Sequence, residues 1–295
     1  MTSDFRISVI TDEISQDFEH SLDVAKNEFG MDWVELRTLW NKNVMDLDSK
    51  DIAEARRLLE HFQLRVSDVG TPLYKVDWPG APLSKNRAAA KGDSFNADFT
   101  FKQQPDVLDR GIELTRVFRC DRLRGFDFWR LDDPAPYRKE MDQMLIHAAD
   151  KCGQKGIVFV LENEFECNSG TGPEALRTLN AVSSPNFMLN WDPANAAMLG
   201  DTPFPDSYQR LPKNRIGHVH CKDVAQKAGS TEREWAAVGQ GIIDWTGQFR
   251  ALKRDGYHRA VSLETHWRGA GTPEASSRQS WAGMKQALQK AGTLS

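Results

Sequence analysis

Four residues of metal-binding type stand at the ends of apolar, β-branched runs in the second half of the chain. They are Glu162 in VLENE, Asp192 in NWDPAN, His220 in HVHCKD and Glu264 in SLETHW. Their spacings are 30, 28 and 44 residues, about one strand-plus-helix unit each, with a longer connection in the last. Three carboxylates and an imidazole make a hard, oxygen-rich set that suits Mn2+ first, then Mg2+ or Co2+. Zn2+ is an option, although it favours more nitrogen or sulfur. Carboxylates gathered without a cation would repel, so one divalent ion is expected between Glu162, Asp192, His220 and Glu264. Side chains two apart on a strand share a face, which puts Val160, Asn190, His218 and Ser262 one layer beneath these four. Asn190 and His218 can there hold the ligands' remaining hydrogen-bonding groups in place. Of the two histidines in HVH, His220 is taken as the ligand because it stands nearer the strand end.

Residues so far apart meet only if a repeating scaffold returns the chain to one place. Short β-branched runs at 6–10, 33–36, 64–69, 115–119, 157–162, 186–191, 215–220 and 259–264 read as strands. Helical periodicity follows each, at 18–29, 50–62, 105–114, 134–151, 173–182, near 205–211, at 245–254 and at 273–290. Eight strand-then-helix units predict a single-domain α/β protein, a (β/α)8 TIM barrel spanning 1–295, whose strand ends converge on one mouth. An open doubly wound sheet normally carries a glycine-rich turn after its first strand, and the ITDEIS that follows here has no glycine. Segment 79–105, after the third strand, breaks the rhythm and is expected to be a lid or an insertion on the mouth side. Asp12 and Glu13 read as caps of the first helix.

Composition narrows the function. Lys plus Arg (38) nearly balance Asp plus Glu (42), for a net charge of −4, which argues against a nucleic-acid binder that relies on a global basic field. No apolar run is long enough to cross a bilayer, and the first residues lack a secretory leader pattern, so a soluble cytoplasmic protein is expected. The four cysteines, Cys120, Cys152, Cys167 and Cys221, form no CxxC pair and read as free thiols.

The pieces LENE, NWDPAN, GHVHCKD, VGQGIIDW and SLETHW resemble, in order and spacing, the xylose-isomerase-like TIM barrel superfamily, the sugar phosphate isomerases and epimerases. The resemblance covers nearly the whole chain. It implies a metal-dependent isomerase or epimerase acting on a sugar or polyol-derived substrate, with Glu162 and Glu264 both holding the metal and shuttling the proton. Proton removal beside a carbonyl leaves an enediolate, whose charge a cation stabilises. Return of the proton to the neighbouring carbon isomerises; return to the opposite face of the same carbon epimerises.

The chain departs from the family's epimerases at three positions, where Asn195, Asn168 and Gln226 replace a histidine, a glutamate and an arginine. HVHCKD is closer to the HxHxKD of inosose-dehydratase-like members, so a lyase that expels water, or one that cleaves 3-keto-glycosides, is the alternative. A non-catalytic binding subunit and an endonuclease IV-like hydrolase are weaker readings. The latter needs more histidines at the mouth than His218, His220 and His266 provide. Near other strand ends, Glu35, Arg37, Lys75, Arg119, Lys222 and His266 are candidates for substrate binding, each with a rim salt bridge or loop position as the plain alternative. Trp40, Trp191 and Trp267 could form flat walls for a sugar ring or simply pack in the core. Nothing in the sequence decides the oligomeric state.

Overall fold

The computed structural model describes residues 2–82 and 99–295. Eight parallel strands form the barrel: β1 (Arg6–Val9), β2 (Trp33–Leu36), β3 (Arg65–Leu73), β4 (Arg122–Gly125), β5 (Val158–Glu162), β6 (Phe187–Trp191), β7 (Ile216–Cys221) and β8 (Ala260–Leu263). Neighbours in sequence are neighbours in the sheet, and β8 returns to pair with β1 from Arg6↔Ala260 to Val9↔Leu263. The last seam, β1 to β2, is a single parallel bridge, Ile10↔Glu35. The fold is thus an α/β TIM barrel, nearly closed. Strands covered on both faces read as continuous apolar runs, as VFVLE of β5 does.

Helices cover the barrel: α1 (Phe18–Asp23), α2 (Ser49–His61), α3 (Gln104–Val117), α4 (Arg138–Gly153), α5 (Gly172–Ala181), α6 (Pro193–Met198), α7 (Trp245–Arg254) and α8 (Pro273–Ala291). Several start where the chain supplies its own cap. Asp48 and Asp51 form a reciprocal capping box on α2, and Thr171 with Glu174 forms another on α5 just ahead of Pro173. Asp17, not Asp12 or Glu13, caps α1, its side chain accepting from the His20 amide. Asp12 and Glu13 are instead drawn into the barrel mouth by Arg37, described below. All four cysteines are buried and unpaired. Among the described residues, no helix is long and apolar enough to cross a membrane.

The fourth strand lies elsewhere than its β-branched signal suggests. Residues 115–119 (TRVFR) belong to the end of α3 and its exit, because Leu108, Ile112 and Thr115 continue a buried helical stripe. The strand is RLRG, which has no β-branched residue and is held by its pairing with β3 and β5. Arg119 therefore sits in the turn before β4, in the left-handed region at φ 54°. It borders a depression with Trp33, Arg56 and Arg65 at the strand-start end of the barrel, so it is no substrate residue. Strand β3 also runs further than expected, to Leu73. Of the segment 79–105, residues 83–98 lie outside the described residues, and 104–105 already belong to α3.

Two hairpins extend the mouth: Thr38–Leu39 with Lys42–Asn43 after β2, and Asp223–Gln226 with Arg233–Ala236 after β7. The turn that follows the second packs tightly on α8. A Cβ placed on Gly283 would lie 1.7 Å from the Val238 carbonyl oxygen, a backbone atom with no means of escape. In an ordinary helix interior Gly→Ala stabilises by about 1 kcal/mol. Gly283→Ala should instead destabilise, by about 2 kcal/mol or more as overpacking does, read as a lowered urea midpoint. An unchanged or raised midpoint would contradict this packing.

Candidate metal centre

Four strand ends bring the predicted ligands together. Glu162 ends β5, Asp192 follows β6, His220 is the penultimate residue of β7 and Glu264 follows β8. One donor atom from each lies within 4.8 Å of all the others, and all four residues are buried. His220 Nδ1 is 3.2 Å from Glu162 Oε1, 3.1 Å from Glu264 Oε2 and 3.9 Å from Asp192 Oδ2. Its other nitrogen, Nε2, is 3.1 Å from Glu35 Oε1, while His218 Nε2 is 3.1 Å from Glu35 Oε2. Glu35 is thus buried beneath the site as an acceptor for two imidazoles and does not line the pocket above. Glu35, Glu162 and Glu264 outweigh burial and hold the imidazole well above its ordinary range; a metal at Nδ1 would displace the proton there, leaving Nε2–H donated to Glu35. Asn190 Nδ2 lies 3.1 Å from His220 Nε2, in the layer beneath.

The protein's own cations surround these carboxylates. Arg124, on β4, sets Nη1 2.6 Å from Glu162 Oε2, and Gly70 on β3 leaves it room: a Cβ there would lie 2.9 Å from Arg124 Nη2. Arg37 divides its guanidinium among Asp12 (2.7 Å), Glu13 (2.7 Å) and Glu264 (2.9 Å). Lys222, buried rather than solvated, reaches Glu264 Oε2 at 2.7 Å and Asp192 Oδ2 at 2.9 Å. Burial alone would raise every carboxyl here. His220 and then Arg124 nevertheless hold Glu162 below the ordinary carboxylate range, and Lys222 and His220 do the same for Glu264. Asp192 is different: burial outweighs Lys222 and pushes its carboxyl up to about 6.

Above the cluster opens a pocket of about 150 Å3. Arg37, Lys75, Glu264 and His266 of the predicted set line it, together with Arg124, Glu164, Glu166 and the aromatic faces of Phe126, Phe165 and Trp235. Lys75 Nζ lies 3.5 Å from Glu166 and 4.9 Å from the Phe126 ring centroid. His266 Nε2 is 3.0 Å from Glu264 Oε1. Trp40, Trp191 and Trp267 do not line the pocket; Trp191 is buried and donates Nε1–H to Gln248. The indole at the mouth is Trp235, on the hairpin after β7. The sequence marks it only weakly, as an aromatic in a charged stretch, STEREWAA. Arg124 has no apolar pattern around it, although a glycine facing it on the neighbouring strand is the trace its bulk leaves.

The donor set suits a divalent cation. Asp192 Oδ2 is buried against the Lys222 ammonium at 2.9 Å, while Oδ1 accepts from the Asn195 backbone N–H at 2.9 Å. An aspartate oxygen free of backbone donors, an imidazole nitrogen and two glutamates are a donor set that Mn2+, Mg2+, Co2+ or Zn2+ would accept.

Residues 22–287 match the family model for the xylose isomerase-like TIM barrel. Among solved structures, AsbF of Bacillus anthracis, described as a probable 3-DHS dehydratase involved in petrobactin synthesis, is 19% identical with a TM-score of 0.71, over 95% of this chain and 98% of that one. The IOLI protein with a binding zinc atom is 16% identical with a TM-score of 0.72, over 97% and 99%. D-allulose 3-epimerase from Methylomonas sp. is 19% identical with a TM-score of 0.69, over 98% and 100%. At such identities the likeness establishes the fold alone. No curated protein sequence matches this chain.

Mn2+ titrated into the protein by calorimetry should bind at close to one equivalent near neutral pH. A proton on Asp192 competes with the ion, so affinity should fall by up to about tenfold per pH unit below the carboxyl's pKa of about 6. An affinity that stays flat down to about pH 5 would contradict this assignment of the ligands.

Proposed function

The chain belongs to the xylose isomerase-like TIM barrel family, and from that premise we propose that it is a divalent-metal-dependent isomerase or epimerase of a small sugar or polyol-derived hydroxy-carbonyl compound. The observation that carries this reading is the convergence of Glu162, Asp192, His220 and Glu264 beneath a polar, aromatic-walled pocket. A divalent cation held by these four, with Mn2+ the first choice, would draw electron density from a carbonyl and its neighbouring hydroxyl and so acidify the C–H between them.

The protein's own groups supply the rest. Arg124 beside Glu162 and Arg37 beside Glu264 favour the ionised carboxylates, so both are ready to accept a proton. Glu162 and Glu264 come from β5 and β8, on different sides of the mouth. One can take a proton from the substrate and the other return one to another face or carbon. At the far end of the pocket, Lys75, Glu164 and Glu166 offer a donor and acceptors for hydroxyl groups, and Trp235 and Phe126 offer flat faces for the C–H side of a ring.

One observation favours the lyase alternative. Lys222 Nζ, 2.7 Å from Glu264, is a second proton source beside the base, which loss of a hydroxyl as water would use. The endonuclease-type reading gains nothing: His20 pairs with Glu274 on the surface, His61 and His147 lie in α2 and α4, and His258 is in the turn before β8.

Incubating the metal-loaded protein with ketoses and keto-inositols in deuterated water separates the two enzyme readings. Solvent deuterium in an isomeric product is expected; loss of water from a keto-inositol would transfer the site to the lyases. Glu162→Gln and Glu264→Gln should each lower turnover by about 10²-fold or more, and metal-dependent turnover that survives both would reject their role as proton carriers.

A further inference from the structure

Lys222 follows β7 two residues after His220 and is 2% exposed. Its ammonium contacts one oxygen of Glu264 and one of Asp192. Glu264 Oε1 is taken by Arg37 at 2.9 Å and His266 at 3.0 Å, and Asp192 Oδ1 by the Asn195 backbone N–H at 2.9 Å. Glu264 Oε2, which also lies 3.1 Å from His220 Nδ1, and Asp192 Oδ2 are the oxygens Lys222 Nζ meets, at 2.7 Å and 2.9 Å. A divalent cation held by the same two carboxylates would set a second positive charge beside the ammonium, and in a water-poor interior the two would repel strongly.

The lysine has a second place to go. Its ammonium is already 5.2 Å from the Trp235 ring centroid, and Trp235 borders the pocket together with Glu164. A cation over an indole face retains part of its stabilisation without a carboxylate.

We propose that Lys222 is an exchangeable counter-ion: its ammonium neutralises Asp192 and Glu264 when no metal is bound, and a divalent cation displaces it toward the Trp235 face of the substrate pocket. The proposal rests on the metal-dependent reading of the site. It adds that metal loading and the placing of a positive charge in the pocket are one event. By thermodynamic reciprocity, whatever the metal takes from the ammonium's hold on the carboxylates, the ammonium takes from the metal's affinity.

Equilibrium dialysis with Mn2+ tests this on the wild-type chain, Lys222→Met and Lys222→Arg, with thermal melting of each protein before and after loading. Removing the charge should tighten Mn2+ binding by about tenfold or more. It should also lower the melting temperature of the metal-free protein and enlarge the rise on loading. Lys222→Arg, which keeps the charge, should not tighten binding. Lys222→Gln is measured alongside, so that a Met variant unfolded without metal still leaves a neutral side chain to compare. Wild-type binding with neutral variants that bind equally or more weakly would overturn the exchange while leaving the metal site standing. A wild-type protein that binds no Mn2+, Mg2+, Co2+ or Zn2+ would overturn the metal-dependent function, and the exchange with it.

Discussion

A carboxylate taken out of water must find opposite charge or hydrogen-bond donors, or it destabilises the fold by several kcal/mol, and this barrel buries Asp12, Glu13, Glu35, Glu162, Asp192 and Glu264 at one end. The buried cations that answer them, Arg37, Arg124, Lys222 and the His220 imidazolium, are fewer, and each is shared or committed. The remaining negative charge falls where the donor atoms of Glu162, Asp192 and Glu264 close around His220. A site assembled this way attracts a dication for the same reason that it would be costly without neutralisation.

The charge network also has a structural task. Strands β1 and β2 meet through one bridge, the weakest seam of the barrel. Arg37, just past β2, ties that seam by gripping Asp12 and Glu13 beyond β1 and Glu264 beyond β8. One guanidinium therefore both ties the barrel seam and pairs with Glu264, a candidate ligand. Glu35 does something similar one layer down: it lies opposite Ile10 in the seam and sets the orientation of His220 from below. Fold and chemistry share these residues, which is why so many polar groups sit where a purely structural barrel would place Val, Ile or Leu.

Much of this was legible in one dimension. The four candidate ligands could be found because each ends an apolar run of strand length, and eight such units imply a barrel whose strand ends converge. Several readings failed for definable reasons. TRVFR carries the β-branched residues of a strand, but the helical stripe of α3 claims it, and the charged RLRG becomes β4 only through partners on both sides. Arg119 was displaced with it. Asp12 and Glu13 look like caps, since acidic residues ahead of a helix usually are, until Arg37 arrives from the next strand and draws them inward.

The sequence by itself determined the repeating unit and the candidate metal-binding side chains, because strand periodicity and residue chemistry are local properties. Tertiary structure alone decided what those side chains face. It placed Arg124 on Glu162, buried Lys222 between Asp192 and Glu264, turned Glu35 from the pocket toward two histidines and supplied Trp235 as the wall. These are pairings across strands that are distant in sequence. Their geometry follows from how the barrel closes, and electrostatics at a few ångströms cannot be read from spacing along the chain.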